Sequence, residues 1–299
     1  MSVFTGLSAF PLTPATEDGI VDTIALEGLV ARLVDAGVNS IGLLGSTGIY
    51  AYLTRTERRR AAEVAVQVAG GRVPVMVGVG SLRTDDACRL ARDAAELGAD
   101  ALLMAPVSYT PLNDDEVFEH YAAVARATDL PLCIYNNPGT TRFTFSIELL
   151  GRLAGVPRIE AVKMPLPAHA DVDAELASLR SGPAVELAIG YSADWGLADA
   201  ILAGADAFYS AVSGILPRET LALFRSARAG DAAEARRIDV AFQPLWTLFK
   251  RFGGLRVIYA IANQLSLCTS DPPRPILPLQ ARERDQVGAA LHNIKEALA

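Results

Sequence analysis

The feature that most constrains this chain is a repeated turn in which a helical pattern ends at glycine and an apolar strand follows an Asn or Asp. The turn occurs as A-G-V-N-S-I (36–41), L-G-A-D-A-L (97–102) and A-G-A-D-A-F (203–208). Glycine ends helices because it adopts the left-handed conformation without strain. A turn that recurs in this way indicates a repeated β-α unit. The strands read as continuous apolar runs, as parallel strands covered by helices do.

About eight such units can be counted, enough to close a (β/α)8 barrel. The predicted strands are 6–11, 40–45, 74–80, 100–106, 130–136, 159–165, 185–190 and 205–212. A doubly wound open sheet is the alternative, but G-S-T-G (45–48) and G-V-G-S (78–81) do not make its nucleotide-binding motifs. We predict an α/β fold, a (β/α)8 TIM barrel over 1–230 with a C-terminal helical extension over 231–299 that is interrupted by the proline-rich segment 271–278.

Composition and charge exclude several classes of protein. The 299 residues are 51% hydrophobic and carry a net charge of -7, which argues against binding to nucleic acid or to an anionic membrane. No apolar run approaches the roughly 18 residues of a membrane span, and the N-terminus lacks a signal-peptide pattern. We therefore expect a cytoplasmic protein. The longest basic run, Arg58-Arg59-Arg60, is expected to be a solvated helix face.

Cysteine and histidine are too sparse for a metal site or a disulfide framework. The chain has three of each, without C-x-x-C spacing and widely separated, so we expect free thiols and no transition-metal centre. The acidic run 113–116 is expected to begin a helix rather than to bind a metal. The sequence predicts no metal and no nucleotide cofactor.

Lys163 is the most informative single residue. It lies in R-I-E-A-V-K-M-P (158–165), where the apolar neighbours predict a buried strand, and it is one of only three lysines among 27 basic residues. An amine attacks a carbonyl only when neutral, and burial disfavours the ammonium. Lys163 is thus either a nucleophile or a structural lysine whose ammonium extends to the wet end of the strand.

Other polar residues fall at the carboxyl ends of predicted strands, which form the catalytic face of a barrel. They are Ser46, Thr47, Tyr135, Asn136 and Tyr209. Each alone has a structural explanation, as a turn residue or a core aromatic. Together with Lys163, a hydroxyl pair and a phenol are the components of a Schiff-base site.

Four motifs occur in order at spacings typical of one family: G-S-T-G (45–48), Y-N-N-P (135–138), V-K-M (162–164) and R-P-I-L-P-L (274–279). On these motifs the chain, from about residue 6 to residue 279, resembles the dihydrodipicolinate synthase / N-acetylneuraminate lyase superfamily of class I aldolases. The family counterparts are G-[TS]-T-G-E, Y-N-x-P, the lysine motif of the sixth strand and R-P-P-L-x-P. One such motif is weak evidence for the resemblance, whereas four in order are strong evidence.

The resemblance implies roles for individual residues. Lys163 would form an imine with pyruvate or another 2-oxo acid, Tyr135 would transfer protons, and Ser46 and Thr47 would hold the carboxylate. The family also implies a tyrosine that crosses a dimer interface, for which Ser108 and Tyr109 are the two registers; we favour Tyr109. The candidate catalytic residues are thus Lys163, Tyr135, Thr47 and Tyr109, and the candidate substrate-binding residues are Ser46, Thr47, Gly190, Tyr209 and Thr140.

Three positions depart from the family pattern. Ile49 replaces the glutamate of the G-[TS]-T-G-E loop, Thr140 stands where the synthases carry an arginine for an acidic second substrate, and Tyr209 replaces a small aliphatic residue. Arg142 would substitute for the missing arginine only if the loop bent differently. These departures argue against a lysine-pathway synthase.

The sequence therefore predicts a Schiff-base lyase that performs aldol cleavage or condensation, or dehydrates a 2-oxo-3-deoxy acid. One alternative is a non-catalytic sensor of 2-oxo acids with the same fold. Another, a barrel enzyme for phosphorylated substrates, would need a glycine-rich loop where the chain has G-Y-S-A-D-W (190–195). The resemblance also implies a homo-oligomer, a dimer of dimers, as the only macromolecular assembly, with a small-molecule 2-oxo acid as ligand.

Overall fold

The computed structural model describes residues 2–169 and 171–298. Eight parallel strands pair in sequence order, and β1 pairs with β8 to close the barrel. The chain therefore has the predicted (β/α)8 fold. The strands are β1 Gly6–Ala9, β2 Ser40–Leu43, β3 Val75–Gly78, β4 Ala101–Met104, β5 Leu132–Tyr135, β6 Ile159–Met164, β7 Ala188–Tyr191 and β8 Ala207–Ser210.

Helices follow the strands and cover the barrel with their apolar faces. The helices up to residue 230 are α1 Thr23–Ala36, α2 Arg55–Ala69, α3 Thr84–Glu96, α4 Asp114–Ala125, α5 Pro138–Thr141, α6 Ile147–Ala154, α7 Val172–Ser181, α8 Leu197–Leu202 and α9 Pro217–Arg228. Short 3-10 turns occupy Tyr50–Tyr52, Asp194–Gly196 and Val212–Gly214. As predicted from the acidic run, Asn113 caps α4 in a reciprocal pair with Glu116.

The C-terminal extension consists of α10 Ala232–Phe252, α11 Gly254–Gln264 and α12 Ala281–Ala297. It contacts the barrel through α10, which packs on α8 and α9, and through Tyr259, whose hydroxyl donates to the Thr13 carbonyl. A domain division at 230/231 stays a prediction, and its end residues Met1 and Ala299 lie outside the described residues. No helix in the described part of the chain is both long and apolar enough to cross a membrane.

The repeated Asn or Asp turn bridges neighbouring strands at the amino-terminal end of the barrel. Asp100 accepts a hydrogen bond from the Val75 backbone N–H (2.7 Å), and its own N–H donates to the Val75 carbonyl. Asn39 and Asp206 make the same pair of bonds with Leu7 and Ile189. The preceding glycines of the three turns all have positive φ, between 76° and 93°. One short sequence pattern thus sets the register of three strand pairs.

Removing the side chain from one of these bridges is expected to reduce stability without affecting the catalytic face. Asp100→Ala leaves the Val75 N–H without its acceptor and should lower the free energy of unfolding by about 1 to 2 kcal/mol. Asp100→Asn, which restores the group used naturally at Asn39, should recover most of that loss. Urea denaturation of both variants measures the difference; equal stability of Asp100→Ala and Asp100→Asn would contradict the role of this bond.

The predicted strands differ from the observed ones at their ends, most clearly in β7. Val185 is exposed, because β7 begins only at Ala188. These differences arise where loop residues continue the apolar pattern of an element beyond its hydrogen bonds.

The prediction that residues 58–60 form a solvated helix face was wrong for Arg58. Arg58 is buried and donates to the carbonyls of Gly78 and Gly80 at the carboxyl end of β3. Its guanidinium lies 5.3 Å from the ring centroid of Tyr50. Burial lowers the pKa of Arg58 to about 10, and the side chain fastens α2 to the strand with donors that only a guanidinium supplies.

Candidate active site

Lys163 lies inside the barrel near the carboxyl end of β6. Only 5% of the residue is exposed. In the strand register Lys163 is level with Tyr135 of β5 on one side and Gly190 of β7 on the other. Neighbouring parallel strands thus bring together three candidates that are far apart in sequence.

Aromatic rings surround the amine of Lys163. Its Nζ lies 3.9 Å from the ring centroid of Phe10, 4.2 Å from that of Tyr135 and 5.7 Å from that of Tyr209. No ion pair within the described residues involves Lys163. The rings attract an ammonium weakly. Lys163 is therefore held by its strand and by aromatic rings, without a salt bridge among the described residues.

Phe10, which the sequence interpretation missed, forms one wall of this site. A β-carbon at Gly42 would lie 2.2 Å from the Phe10 ring, and one at Gly45 would lie 2.6 Å from it. These two glycines of β2 and its loop therefore make room for the ring. The only signal in the sequence was an aromatic residue just after the first strand, which an ordinary core position would show equally.

The hydroxyl of Tyr135 contacts two polar side chains. Ser46 Oγ lies 3.4 Å from Tyr135 Oη, and Asn137 Nδ2 donates to the same oxygen at 3.1 Å. Because Asn137 supplies a donor, the phenol proton is free to point elsewhere. Thr47, a candidate catalytic residue, makes no hydrogen bond to Tyr135 or Lys163 within the described residues, so Ser46 is the hydroxyl next to the phenol. Asn137 was not among the candidates, although Y-N-N-P contains it.

The loop after β2 presents backbone donors beside these hydroxyls. Leu44 and Ile49 adopt positive φ, 55° and 50°, which turns the chain sharply between them. The backbone N–H groups of Ser46 and Thr47 have no acceptor within the described residues. Ile49, in place of the family's glutamate, is 2% exposed and belongs to the core. Apolar packing therefore supports the loop where a polar side chain was expected.

Tyr209 and Gly190 pack against each other at the floor of the site. Tyr209 is buried, its ring meets Phe10 edge to face at 6.0 Å, and its hydroxyl lies 3.6 Å from Cys133 Sγ. Burial raises the pKa of Tyr209 well above its usual value and that of the Cys133 thiol to about 12. Both groups are therefore neutral at physiological pH.

A methyl group at Gly190 is expected to disturb this floor. It would lie 2.5 Å from Tyr209 Cε2 and 2.9 Å from the Ala207 carbonyl oxygen, so Gly190→Ala should lower stability by about 1 to 3 kcal/mol through overpacking. Gly28→Ala is the matched control, because Gly28 lies in α1 with open space around its α-carbon and alanine favours helix. Thermal melts of the two variants test this; a Gly190→Ala variant as stable as the control would show that the floor can relax.

A cleft of about 450 Å³ opens at the mouth of the barrel above Ser46. Thr47 and Thr140 also line it, but Lys163 does not; Ser46 joins the cleft to the buried amine through Tyr135. The Thr140 hydroxyl donates to the Asn137 carbonyl at 3.3 Å. The described residues contain no group of three or more His, Cys, Asp or Glu side chains that could hold a metal ion.

Tyr109 lies apart from the other candidates. It is 96% exposed, the most exposed of the large hydrophobic residues, and none of its groups reaches Lys163 or Tyr135 within this chain. Ser108, the other register, is half-buried. The proposed exchange of a tyrosine between subunits requires a partner chain and stays a prediction.

Comparison with known proteins points to one family. The sequence model of the dihydrodipicolinate synthetase family matches residues 3–294. The 4-hydroxy-tetrahydrodipicolinate synthase of Corynebacterium aurimucosum is 33% identical over 290 residues, which cover 96% of this chain and 92% of that protein.

Solved structures agree in fold over nearly the whole chain. The crystal structure of dihydrodipicolinate synthase from Agrobacterium tumefaciens is 61% identical, covers 98% of each chain and superposes with a TM-score of 0.96. That of the Acinetobacter baumannii enzyme in complex with pyruvate is 28% identical, covers 98% of this chain and 99% of that chain, and has a TM-score of 0.87.

Proposed function

This chain belongs to the dihydrodipicolinate synthetase family and is a lyase of the class I aldolase type, and we propose that its nucleophile is Lys163, which forms an imine with pyruvate or another 2-oxo acid. The observation that carries the proposal is the buried amine of Lys163, which forms no salt bridge among the described residues and lies level with the Tyr135 phenol. A relative in this family is described as a complex with pyruvate.

The reaction begins with imine formation. Lys163 Nζ attacks the ketone carbon, and Tyr135 protonates the carbinolamine oxygen so that it leaves as water. The free N–H groups of Ser46 and Thr47 hold the substrate carboxylate, as backbone donors at a turn bind anions without a cationic side chain. Ser46 Oγ, 3.4 Å from the phenol oxygen, passes protons between Tyr135 and the cleft.

The imine then serves as an electron sink. A proton leaves the adjacent methyl carbon to give an enamine, whose carbon attacks an aldehyde carbon while the aldehyde oxygen takes up a proton. Water hydrolyses the new imine and releases the product and free Lys163. In reverse the sequence cleaves the carbon–carbon bond; with a 2-oxo-3-deoxy acid, the enamine instead expels the neighbouring hydroxyl as water. These steps require no metal and no nucleotide cofactor.

The aldehyde that the enamine attacks is the acceptor, and the family relationship bears on which aldehyde it is. The relatives are named 4-hydroxy-tetrahydrodipicolinate synthase, and these names do not support the expectation, drawn from Ile49, Thr140 and Tyr209, that the chain is not a lysine-pathway synthase. They also do not favour the alternative of a non-catalytic sensor. We further propose a homo-oligomer in which the exposed Tyr109 is covered by a second copy of the chain.

Exchange of the pyruvate methyl protons tests this function without knowledge of the acceptor. In D2O, an imine in equilibrium with its enamine should replace the methyl protons of pyruvate with deuterium, and the loss of the methyl signal is followed by proton NMR. We expect exchange with the wild-type protein above the background rate. Background exchange with every 2-oxo acid in a panel would rule out the proposal.

A further inference from the structure

We propose that the acceptor half of the site takes an uncharged aldehyde with an apolar body rather than an aldehyde that carries a carboxylate. This inference rests on the proposed function, because it concerns the partner of the enamine. It starts from the cleft of about 450 Å³ above Ser46, a volume typical of small-molecule sites.

The walls of the cleft are built by the loops after β2 and β4, by α5 and by the C-terminal extension. The loop after β2 contributes Ile49, Tyr50 and Tyr52, and the C-terminal extension contributes Leu255 at the start of α11 and Ile276 from the proline-rich segment. The extension thus completes the active-site mouth as well as packing on the barrel. The extension also contributes Gly254, and the two side chains that it places in the wall are both apolar.

No charged side chain lines this cleft within the described residues. Thr140 occupies the position at which the synthases would carry an arginine, and its hydroxyl is already bonded to the Asn137 carbonyl. Thr141 is likewise bonded to the same carbonyl at 3.0 Å. Neither hydroxyl is therefore free, without breaking a bond, to solvate a carboxylate.

No arginine side chain lines the cleft among the described residues. Arg58 lies behind the ring of Tyr50 and donates to the carbonyls of Gly78 and Gly80. Arg274 lines a neighbouring cleft on the far side of Ile49, where it lies 3.5 Å from Glu17. Arg142 is exposed and does not line the acceptor cleft. A second carboxylate in the cleft, in addition to the one that the N–H groups of Ser46 and Thr47 hold, would lose hydration and gain no cationic partner.

The hydroxyl of Tyr50 in the cleft wall does not make the cleft more favourable for a carboxylate. Burial raises the pKa of Tyr50 to about 12, so it is a neutral hydrogen-bond donor at physiological pH and suits a carbonyl or hydroxyl oxygen. An aldehyde oxygen that becomes an alkoxide near Ser46 and Tyr50 finds such donors. The remainder of the acceptor lies against Ile49, Leu255 and Ile276, which favour an aliphatic or aromatic body.

The test uses a matched pair of aldehydes with pyruvate: 4-oxobutanoate, which carries a carboxylate, and its methyl ester, which does not. Mass spectrometry of the aldol products gives kcat/KM for each. We expect the wild-type protein to prefer the ester at least ten-fold. Thr140→Arg should reverse or abolish the preference, whereas Val240→Arg, which adds the same charge at an exposed position of α10 away from the cleft, should leave it unchanged.

Leu255→Ala gives a second readout from the extension. It should raise KM for the ester several-fold and lower the preference for the ester over 4-oxobutanoate. The inference is overturned if wild-type protein that exchanges the methyl protons prefers 4-oxobutanoate, uses both aldehydes equally or uses neither. Failure of the exchange itself is a different result, because it removes the proposed function on which the inference rests.

Discussion

Lys163→Ala is expected to abolish lyase activity, with a fall in kcat/KM on the order of 10⁴-fold or more, because the covalent intermediate cannot form. Phe10, Tyr135 and Tyr209 surround the amine, and no other lysine is available in the barrel, since the remaining two are Lys250 and Lys295 of the C-terminal extension. Steady-state assays and methyl-proton exchange measure the loss.

Lys163→Arg is the matched variant for charge. It keeps a cation within the aromatic rings but cannot form an imine, since a guanidinium stays protonated. We expect it to be as inactive as Lys163→Ala, with both variants folded by circular dichroism. Substantial activity in the arginine variant would mean that Lys163 acts through its charge and that the chemistry proceeds without an imine.

Tyr135→Phe is expected to lower kcat by about 10² to 10³-fold, the range of general acid–base catalysis by one side chain. The substitution removes only the hydroxyl that contacts Ser46 and Asn137 and keeps the ring that lies 4.2 Å from Lys163 Nζ. Binding of the 2-oxo acid should survive, so the effect should fall on kcat more than on KM.

Pre-steady-state trapping separates this role from a structural one. If Tyr135 transfers protons, the variant should form the reduced adduct slowly but to the same final extent, and its pH–rate profile should lose one limb. Ser46→Ala, which leaves the phenol and removes its neighbour, should give a smaller loss of the same kind. A Tyr135→Phe variant with unchanged kcat would remove the phenol from the mechanism.

Much of the architecture could be predicted because short segments of the sequence determine it. The Gly-x-Asn/Asp turn marks three of the units, and the structure shows why: Asn39, Asp100 and Asp206 each bridge two strands. Strand ends were predicted too long, since residues such as Val79 and Ala105 are buried and apolar after their strands have ended. The apolar pattern reports burial, and buried residues continue beyond the last backbone hydrogen bonds of each strand.

The site was predictable only where a residue type is unusual for its position. A lysine among apolar strand residues is such a case, and the parallel register then puts Tyr135 beside it. Phe10 gave no comparable signal, because an aromatic residue at a strand end looks the same whether it surrounds an amine or fills a core. Burial of Arg58 depends on two carbonyls of another strand, which no local pattern shows.

The account depends most directly on a covalent bond between Lys163 and the 2-oxo acid. Borohydride reduction in the presence of pyruvate, followed by proteolysis and mass spectrometry, measures that bond. We predict that the peptide containing Lys163 gains the mass of one reduced pyruvyl group and that Lys163→Ala gains none. An adduct on another residue, or none with any 2-oxo acid tested, would contradict the account.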